Sequence, residues 1–132
     1  MAAQLGLLDY LSVSGPDVAA LVAFYRDVLD AGVIEEAYPD WARVRLANVD
    51  LGVRRGERAL SEDGAGPCAA FRVQDLAGFR AHLERCGVEA GEYHDITGGV
   101  TLDFRDPAGN VLRVIRWGRS AAEERSAATP GD

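Results

Sequence analysis

Four residues on predicted strands carry side chains that can donate or accept a proton. Asp50 precedes Leu51 in a run that alternates polar and apolar residues, so a strand there turns Asp50 away from its apolar face. Asp103 is placed in the same way, whereas the pattern around His94 is irregular. His94 is therefore open to two interpretations, a surface residue or a general base. Together with Tyr10 these residues are the acid–base candidates.

Arg113 is the cation of greatest interest, because it alternates with apolar neighbours on the last predicted strand. Its guanidinium could pair with Asp50 or Asp103, or it could bind a carboxylate, phenolate or carbonyl oxygen of a ligand. Two aromatic residues, Trp41 and Tyr10, could stack on a planar ligand or simply pack within the fold.

The same alternation separates the two faces of the other strands. On the first strand it assigns Leu11 and Val13 to the core and sends Leu8, Tyr10 and Ser12 to the opposite face. The resulting ligand-binding candidates are Arg113, Trp41, Tyr10, Asp50, Asp103, Arg43, Ser12 and Cys68.

One plan of elements repeats along the chain and would position these residues. In the first copy Asp17 predicts an N-cap, an apolar stripe predicts a helix, and Gly32 predicts its end. In the second copy a helix over about 75–85 is closed by Gly87. The predicted strands cover 7–13, 33–38, 41–47, 49–54, 68–73, 93–96, 100–105 and 111–117. The fold class is therefore α+β, with two tandem βαβββ modules over 7–56 and 67–117.

A turn near the end and a helix near the start carry a family resemblance. Residues 106–110 read Asp-Pro-Ala-Gly-Asn, a turn between two strands, and residues 24–29 read Phe-Tyr-Arg-Asp-Val-Leu. In this order within a repeated βαβββ plan, they resemble the vicinal oxygen chelate superfamily. That group includes glyoxalase I, extradiol dioxygenases, fosfomycin-modifying enzymes and bleomycin-binding resistance proteins. The resemblance covers roughly 7–117 and implies one domain over 1–118, with cupped mixed sheets around a ligand cavity.

The resemblance also implies where a metal would be held, and this chain departs from that pattern. Metal-using members place His or Gln, Glu, His and Glu on the first, fourth, fifth and eighth strands. The corresponding residues here are Leu8 (or Tyr10 if the register slips), Asp50, Cys68 and Arg113. Two ligands are lost and one becomes a permanent cation. We therefore expect no metal and no other cofactor.

Composition bounds the remaining possibilities. A chain of 132 residues with net charge −7 fits one domain and does not favour nucleic acid, which selects basic surfaces. No apolar run approaches the roughly 20 residues of a membrane span, and the start lacks a basic signal region, so a cytoplasmic location is expected. Cys68 and Cys86 are expected to be buried free thiols. Residues 56–66 are expected to be a linker, and 119–132 a disordered tail or at most a frayed helix.

Three functions remain open from the sequence. The first is a metal-independent protein that binds a drug or natural product, similar to the bleomycin-binding proteins, with a planar or conjugated ligand and a homodimeric assembly. The second is a metal-free lyase, isomerase or cyclase of natural-product or catabolic metabolism, in which Arg113 stabilises an enolate or oxyanion. The third is a glyoxalase-type lyase that uses a divalent metal.

Overall fold

The first half of the chain builds a four-stranded sheet with one helix. The computed structural model describes residues 3–57 and 68–128, and the chain divides into two compact units, Met1–Leu60 and Ser61–Asp132. In the first unit the sheet order is β1-β4-β3-β2; β1 and β4 run parallel, and the other neighbours run antiparallel. Its elements are β1 Leu11–Gly15, α1 Val18–Leu29, β2 Gly32–Ala37, β3 Trp41–Leu46 and β4 Val49–Arg55.

The second unit repeats this arrangement and adds a helix at its end. The sheet order is β5-β8-β7-β6, again with one parallel pair, β5 and β8. Its elements are β5 Ala69–Arg72, α2 Leu76–Arg85, β6 His94–Ile96, β7 Gly99–Arg105, β8 Val111–Trp117 and α3 Ala121–Ala128. The predicted α+β class and the repeated βαβββ plan are confirmed. No helix in the described ranges is long and apolar enough to cross a membrane.

Local capping explains where the two module helices begin. The Asp17 side chain accepts a hydrogen bond from the Ala20 backbone N–H at 3.1 Å, and Asp75 accepts one from Gly78 at 2.9 Å. The end predicted for α1 at Gly32 is wrong. The helix ends at Leu29, and the next residue, Asp30, takes the left-handed conformation with φ 57°. A short acidic side chain tolerates that region of backbone conformation.

The turn between β7 and β8 is held by its own side chains, as predicted. Asp106 Oδ1 accepts from the backbone N–H groups of Ala108 and Asn110, and Asn110 Nδ2 donates to Asp106 Oδ2 at 2.8 Å. Gly109 supplies the required positive φ of 91°. These bonds fix the register in which β8 leaves the turn.

The predicted core is largely confirmed on the central strands. Every second residue of β3 and β4 is buried, as is every second residue along most of β7 and β8: Ala42, Val44, Leu46, Leu51, Val53, Leu102, Phe104, Leu112 and Val114. Helix α1 packs against β3 and β4, so the alternate residues of those strands lie on the opposite face of the sheet.

The first strand was placed too early. It begins at Leu11 rather than residue 7, and Leu11 is 37% exposed instead of buried. Because β4 begins only at Val49 and Leu11 pairs with Leu51, residues 7 and 8 lie beyond the end of the strand that they would need for pairing. The thiols also differ from expectation: both are free, but Cys68 is half-buried and Cys86 is exposed.

Of the two expectations for the segment after residue 118, disorder or a frayed helix, the described part of the segment shows a helix. Helix α3 packs beside α2 and buries Ala121 and Glu124, the latter only 1% exposed. The Glu124 carboxylate is held by Arg119 at 2.9 Å, with Arg116 at 3.9 Å. The sequence suggests that Glu124 is exposed to solvent, but ion pairing allows it to be buried. The predicted linker lies mostly outside the described residues.

Candidate functional site

The face of β3 and β4 opposite α1 carries a row of charged side chains. Arg45 lies directly across from Asp50, and Arg43 lies across from Gly52, two positions further along. This register places two guanidinium groups beside one carboxylate, because residues two apart on a strand share a face.

Asp50 is the centre of this cluster and is only 7% exposed. Arg45 donates to both of its oxygens, at 2.7 and 3.1 Å, and Arg43 Nε donates to Oδ2 at 2.7 Å. The hydrogen bonds from Arg45, then those from Arg43, lower the pKa of Asp50 to about 2. Asp50 is therefore a weak base that stays ionised at neutral pH, better suited to holding arginines than to accepting a proton.

An aromatic pair covers the next position of the same face. Tyr10 and Trp41 meet edge to face, with ring centres 5.3 Å apart, above Gly52. A Cβ atom at position 52 would lie 2.6 Å from Tyr10 Cδ2 and would overlap the Trp41 ring as well. Gly52 is therefore required for the aromatic pair to approach the sheet, a role that a glycine inside a strand can signal in sequence.

Arg43 connects the charged row to the aromatic pair. Its Cζ atom lies 5.5 Å from the centre of the Tyr10 ring, and its terminal nitrogen NH2 donates to Asp9. Asp9 is not among the residues predicted from the sequence. The sequence does contain a clue. In a strand, residue 9 would lie on the same face as Leu11 and Val13, which were assigned to the core, and an aspartate at such a position indicates that the strand has not yet begun.

A groove of about 700 Å³ opens beside this cluster within the first unit. One wall comes from the segment before β1, and the other comes from β3, β4 and the turn between them. Its lining residues are Leu7, Leu8, Asp9, Arg43, Arg45, Ala47, Asn48, Val49 and Asp50. A volume of this order is large enough for a small organic ligand.

In the second unit, Arg113 forms an ion pair with its cross-strand neighbour. Its Nε and NH2 atoms donate to the two oxygens of Asp103 at 2.7 and 3.0 Å. Asp103 raises the pKa of Arg113 through these hydrogen bonds. Both side chains keep substantial solvent contact, 40% for Arg113 and 38% for Asp103. Of the two acidic partners considered for Arg113, the structure shows Asp103, while a ligand contact by Arg113 stays a prediction.

The other sequence candidates lie at exposed or partly exposed positions. Ser12 is exposed on β1, opposite Gly52, and Cys68 is half-buried immediately before β5. His94 is exposed on the edge strand β6, where its backbone carbonyl accepts a bond of 3.5 Å from the Thr101 hydroxyl. Their roles in binding or catalysis stay predictions.

The ligand positions implied by the family resemblance do not fit a divalent metal ion. Leu8 offers no donor atom, both oxygens of Asp50 accept hydrogen bonds from arginines, and Arg113 brings a positive charge. Among residues 3–57 and 68–128, no three His, Cys, Asp or Glu side chains form a group that could hold a metal. A thiol at Cys68 does not by itself replace the missing set.

Several solved structures share this fold. The chain is similar to lactoylglutathione lyase from Agrobacterium tumefaciens, with 20% identity, a TM-score of 0.67, and coverage of 86% of this chain and 96% of that one. It is similar to the fosfomycin resistance protein FosX from Listeria monocytogenes, solved with Mn(II) and dihydroxypropylphosphonic acid (17% identity, TM-score 0.72, coverage 92% and 96%). A glyoxylase/bleomycin resistance protein/dioxygenase domain from Frankia sp. EAN1pec gives 20% identity, a TM-score of 0.71, and coverage of 86% and 93%. At these identities the likeness concerns the fold.

Comparison of sequences gives the family. No curated protein sequence matches the chain. A family model, by contrast, matches residues 7–114, which is most of the chain. The chain therefore belongs to the glyoxalase/bleomycin resistance protein/dioxygenase superfamily.

Proposed function

We propose that this protein is a metal-independent small-molecule binding protein of its superfamily. The observation that carries the proposal concerns the positions at which metal-using members of the superfamily place their metal ligands. Asp50 is held by two arginines, and Arg113 is paired with Asp103. A divalent ion at either position would have to displace a guanidinium or lie beside one, which costs Coulombic energy.

The electrostatics of the charged row support binding over catalysis. An effective general base has a pKa near the working pH, whereas that of Asp50 is about 2. Asp50 and its two arginines instead form a hydrogen-bonded polar surface, which suits recognition of a ligand without chemical change. A metal-free lyase or isomerase is the competing outcome of the test below.

The groove indicates the kind of ligand. It combines apolar side chains, such as Leu8 and Val49, with the charged groups of Arg43 and Arg45. A drug or natural product with a planar or conjugated body and a few polar atoms matches such a lining, since recognition sites pair apolar walls with a few fixed polar groups.

The proposal includes a cytoplasmic homodimer. Exposed apolar side chains support self-association, including Leu7 before β1, Ile34 on the edge strand β2, and Ile96 on the edge strand β6. Pairing of chains would remove such groups from water and protect strand edges. Light scattering at micromolar concentration should give twice the chain mass, and a monomer would contradict this part of the proposal.

A fluorescence titration tests the binding function itself. In a Trp117→Phe variant, the remaining Trp41 reports on the first unit, because it contacts Tyr10 beside the groove. A panel of planar natural products and quinones is titrated with and without EDTA. At least one compound should quench Trp41 fluorescence saturably, with a stoichiometry of one compound per chain. Its affinity should be the same with and without EDTA, and the compound should be recovered chemically unchanged.

Three results would contradict the proposal. Loss of binding in EDTA would make the site metal-dependent, and recovery of a converted compound would make the protein an enzyme. In the second case, Asp103→Asn or His94→Gln should lower turnover more than affinity. A panel with no saturable member would remove the binding function.

A further inference from the structure

Arg43 has two acidic partners that differ sharply in burial. Its Nε donates to Asp50, which is 7% exposed and also held by Arg45. Its NH2 donates at 2.7 Å to Oδ1 of Asp9, which is 74% exposed, and at 2.9 Å to the Asp9 backbone carbonyl. The bond to Asp50 is thus built into the sheet, whereas the bond to Asp9 lies at the surface.

The segment that carries Asp9 lies outside the sheet. Residues 3–10 form no helix or strand, and Leu7 and Leu8 are exposed. Exposed ion pairs add little stability. Forming one typically shifts the equilibrium between the paired and the unpaired arrangement by about 1.4- to 5-fold. An external anion of modest affinity can therefore compete with Asp9 for the same guanidinium.

We propose that Arg43 is the anion anchor of the groove and that Asp9 is its internal occupant, displaced when a ligand carboxylate binds. This inference rests on the proposed binding function and names its ligand class: a monocarboxylate with a planar apolar body. The carboxylate takes the position of the Asp9 oxygens at NH2 of Arg43. The body lies along the apolar part of the lining that does not move with Asp9, at Ala47 and Val49.

The charge of the neighbouring groups selects a monoanion. Asp50 is bound to the same guanidinium at 2.7 Å, so a second full negative charge on the ligand would lie close to an ionised carboxylate. A carboxylate replaces the single charge of Asp9 without adding another, whereas inorganic phosphate brings up to two.

The test compares an acid with its neutral isostere. Anthraquinone-2-carboxylate and anthraquinone-2-carboxamide are titrated into the full chain carrying Trp117→Phe, with Trp41 quenching as the signal. Asp9→Asn should raise affinity for the acid about two- to fivefold and leave the amide unchanged. Asp40→Asn is the matched control: it removes the same charge from an exposed ion pair with Arg55 in the same unit and should have no such effect.

A double variant separates displacement from simple charge repulsion. In an Arg43→Gln background the acid should lose about tenfold in affinity, as expected for a charged hydrogen bond, and Asp9→Asn should then have no effect. If Arg43→Gln does not fold, Arg43→Lys serves instead, and the Asp9→Asn gain should shrink in it. Amide hydrogen exchange gives a second readout: the acid, but not the amide, should speed exchange at residues 7–10.

The outcomes keep this inference distinct from the proposed function. Equal affinities for acid and amide, or an Asp9→Asn gain that persists without Arg43, would overturn the inference while leaving the binding function in place. Stronger competition by inorganic phosphate than by acetate would also overturn it. Absence of binding by both anthraquinones would overturn the inference, and the wider panel would decide the binding function separately.

Discussion

The pair between Arg113 and Asp103 gives the most quantitative prediction. We consider Arg113→Ala, Asp103→Ala and the double variant as a thermodynamic cycle. Opposite charges directly across two antiparallel strands contribute about 0.2–1 kcal/mol. The forked geometry, with contacts of 2.7 and 3.0 Å, favours the upper part of that range, while exposures of 40% and 38% allow solvent to screen the pair. The coupling free energy should therefore be about 0.5–1 kcal/mol.

Chemical denaturation measures each corner of the cycle, and thermal unfolding gives an independent check. For a chain of 132 residues, unfolding entropy of about 2.1 cal/mol/K per residue converts a loss of 1 kcal/mol into roughly 3–4 °C of Tm. The coupling should fall further in 1 M NaCl, because salt screens exposed charges.

Two results would refute this reasoning. A coupling above about 3 kcal/mol would mean that the pair behaves as a buried one, with a stranded carboxylate when Arg113 is removed. A coupling near zero, combined with a large loss of ligand affinity in Arg113→Ala, would mean that the guanidinium serves the ligand rather than Asp103.

Three further perturbations follow from the geometry. The pKa of Asp50 is about 2 in the folded chain and about 3.9 in the unfolded chain. The ionised carboxylate therefore stabilises the fold fully above about pH 4, and this stabilisation is lost as the pH falls toward 2. Measurements of unfolding free energy against pH should show the loss, and Asp50→Asn should abolish this part of the pH dependence. Gly52→Ala should cost about 1–3 kcal/mol through overpacking and shift the emission of Trp41, whereas an unchanged spectrum would contradict the close packing above position 52. Arg119→Ala should destabilise the chain more than Glu124→Ala, because it leaves the buried Glu124 carboxylate with only the longer contact to Arg116. The reverse order in urea denaturation would contradict the ion-pair account of α3.

Features set by local hydrogen bonding were predictable from the sequence. Asp17 and Asp75 cap their helices, and the residues of the turn at 106–110 bond to one another, as their types and spacing indicate. Strand alternation likewise identified the buried apolar residues of β3, β4, β7 and β8, although β4 and β7 also bury a residue of the opposite face, Asp50 and Thr101.

Features that depend on distant partners were not predictable. The late start of β1 follows from where β4 begins. The helix after residue 120 packs beside α2, and the Ala121 backbone N–H donates to Asp95 Oδ1 at 2.7 Å. For the candidate site, alternation correctly placed Asp50 and Arg43 on one face. It could not reveal that Asp9, in a segment without regular structure, would return to the same guanidinium.

Calorimetry decides whether this chain binds a divalent metal ion. The chelator-treated, dialysed protein is titrated with Mn(II), Ni(II) and Zn(II), and its metal content is determined by elemental analysis before chelation. We expect no stoichiometric metal in the purified chain and no saturable binding at one ion per chain, because Leu8 and Arg113 stand where two ligands would be needed. About one tightly bound ion per chain, with a matching rise in Tm, would contradict this expectation.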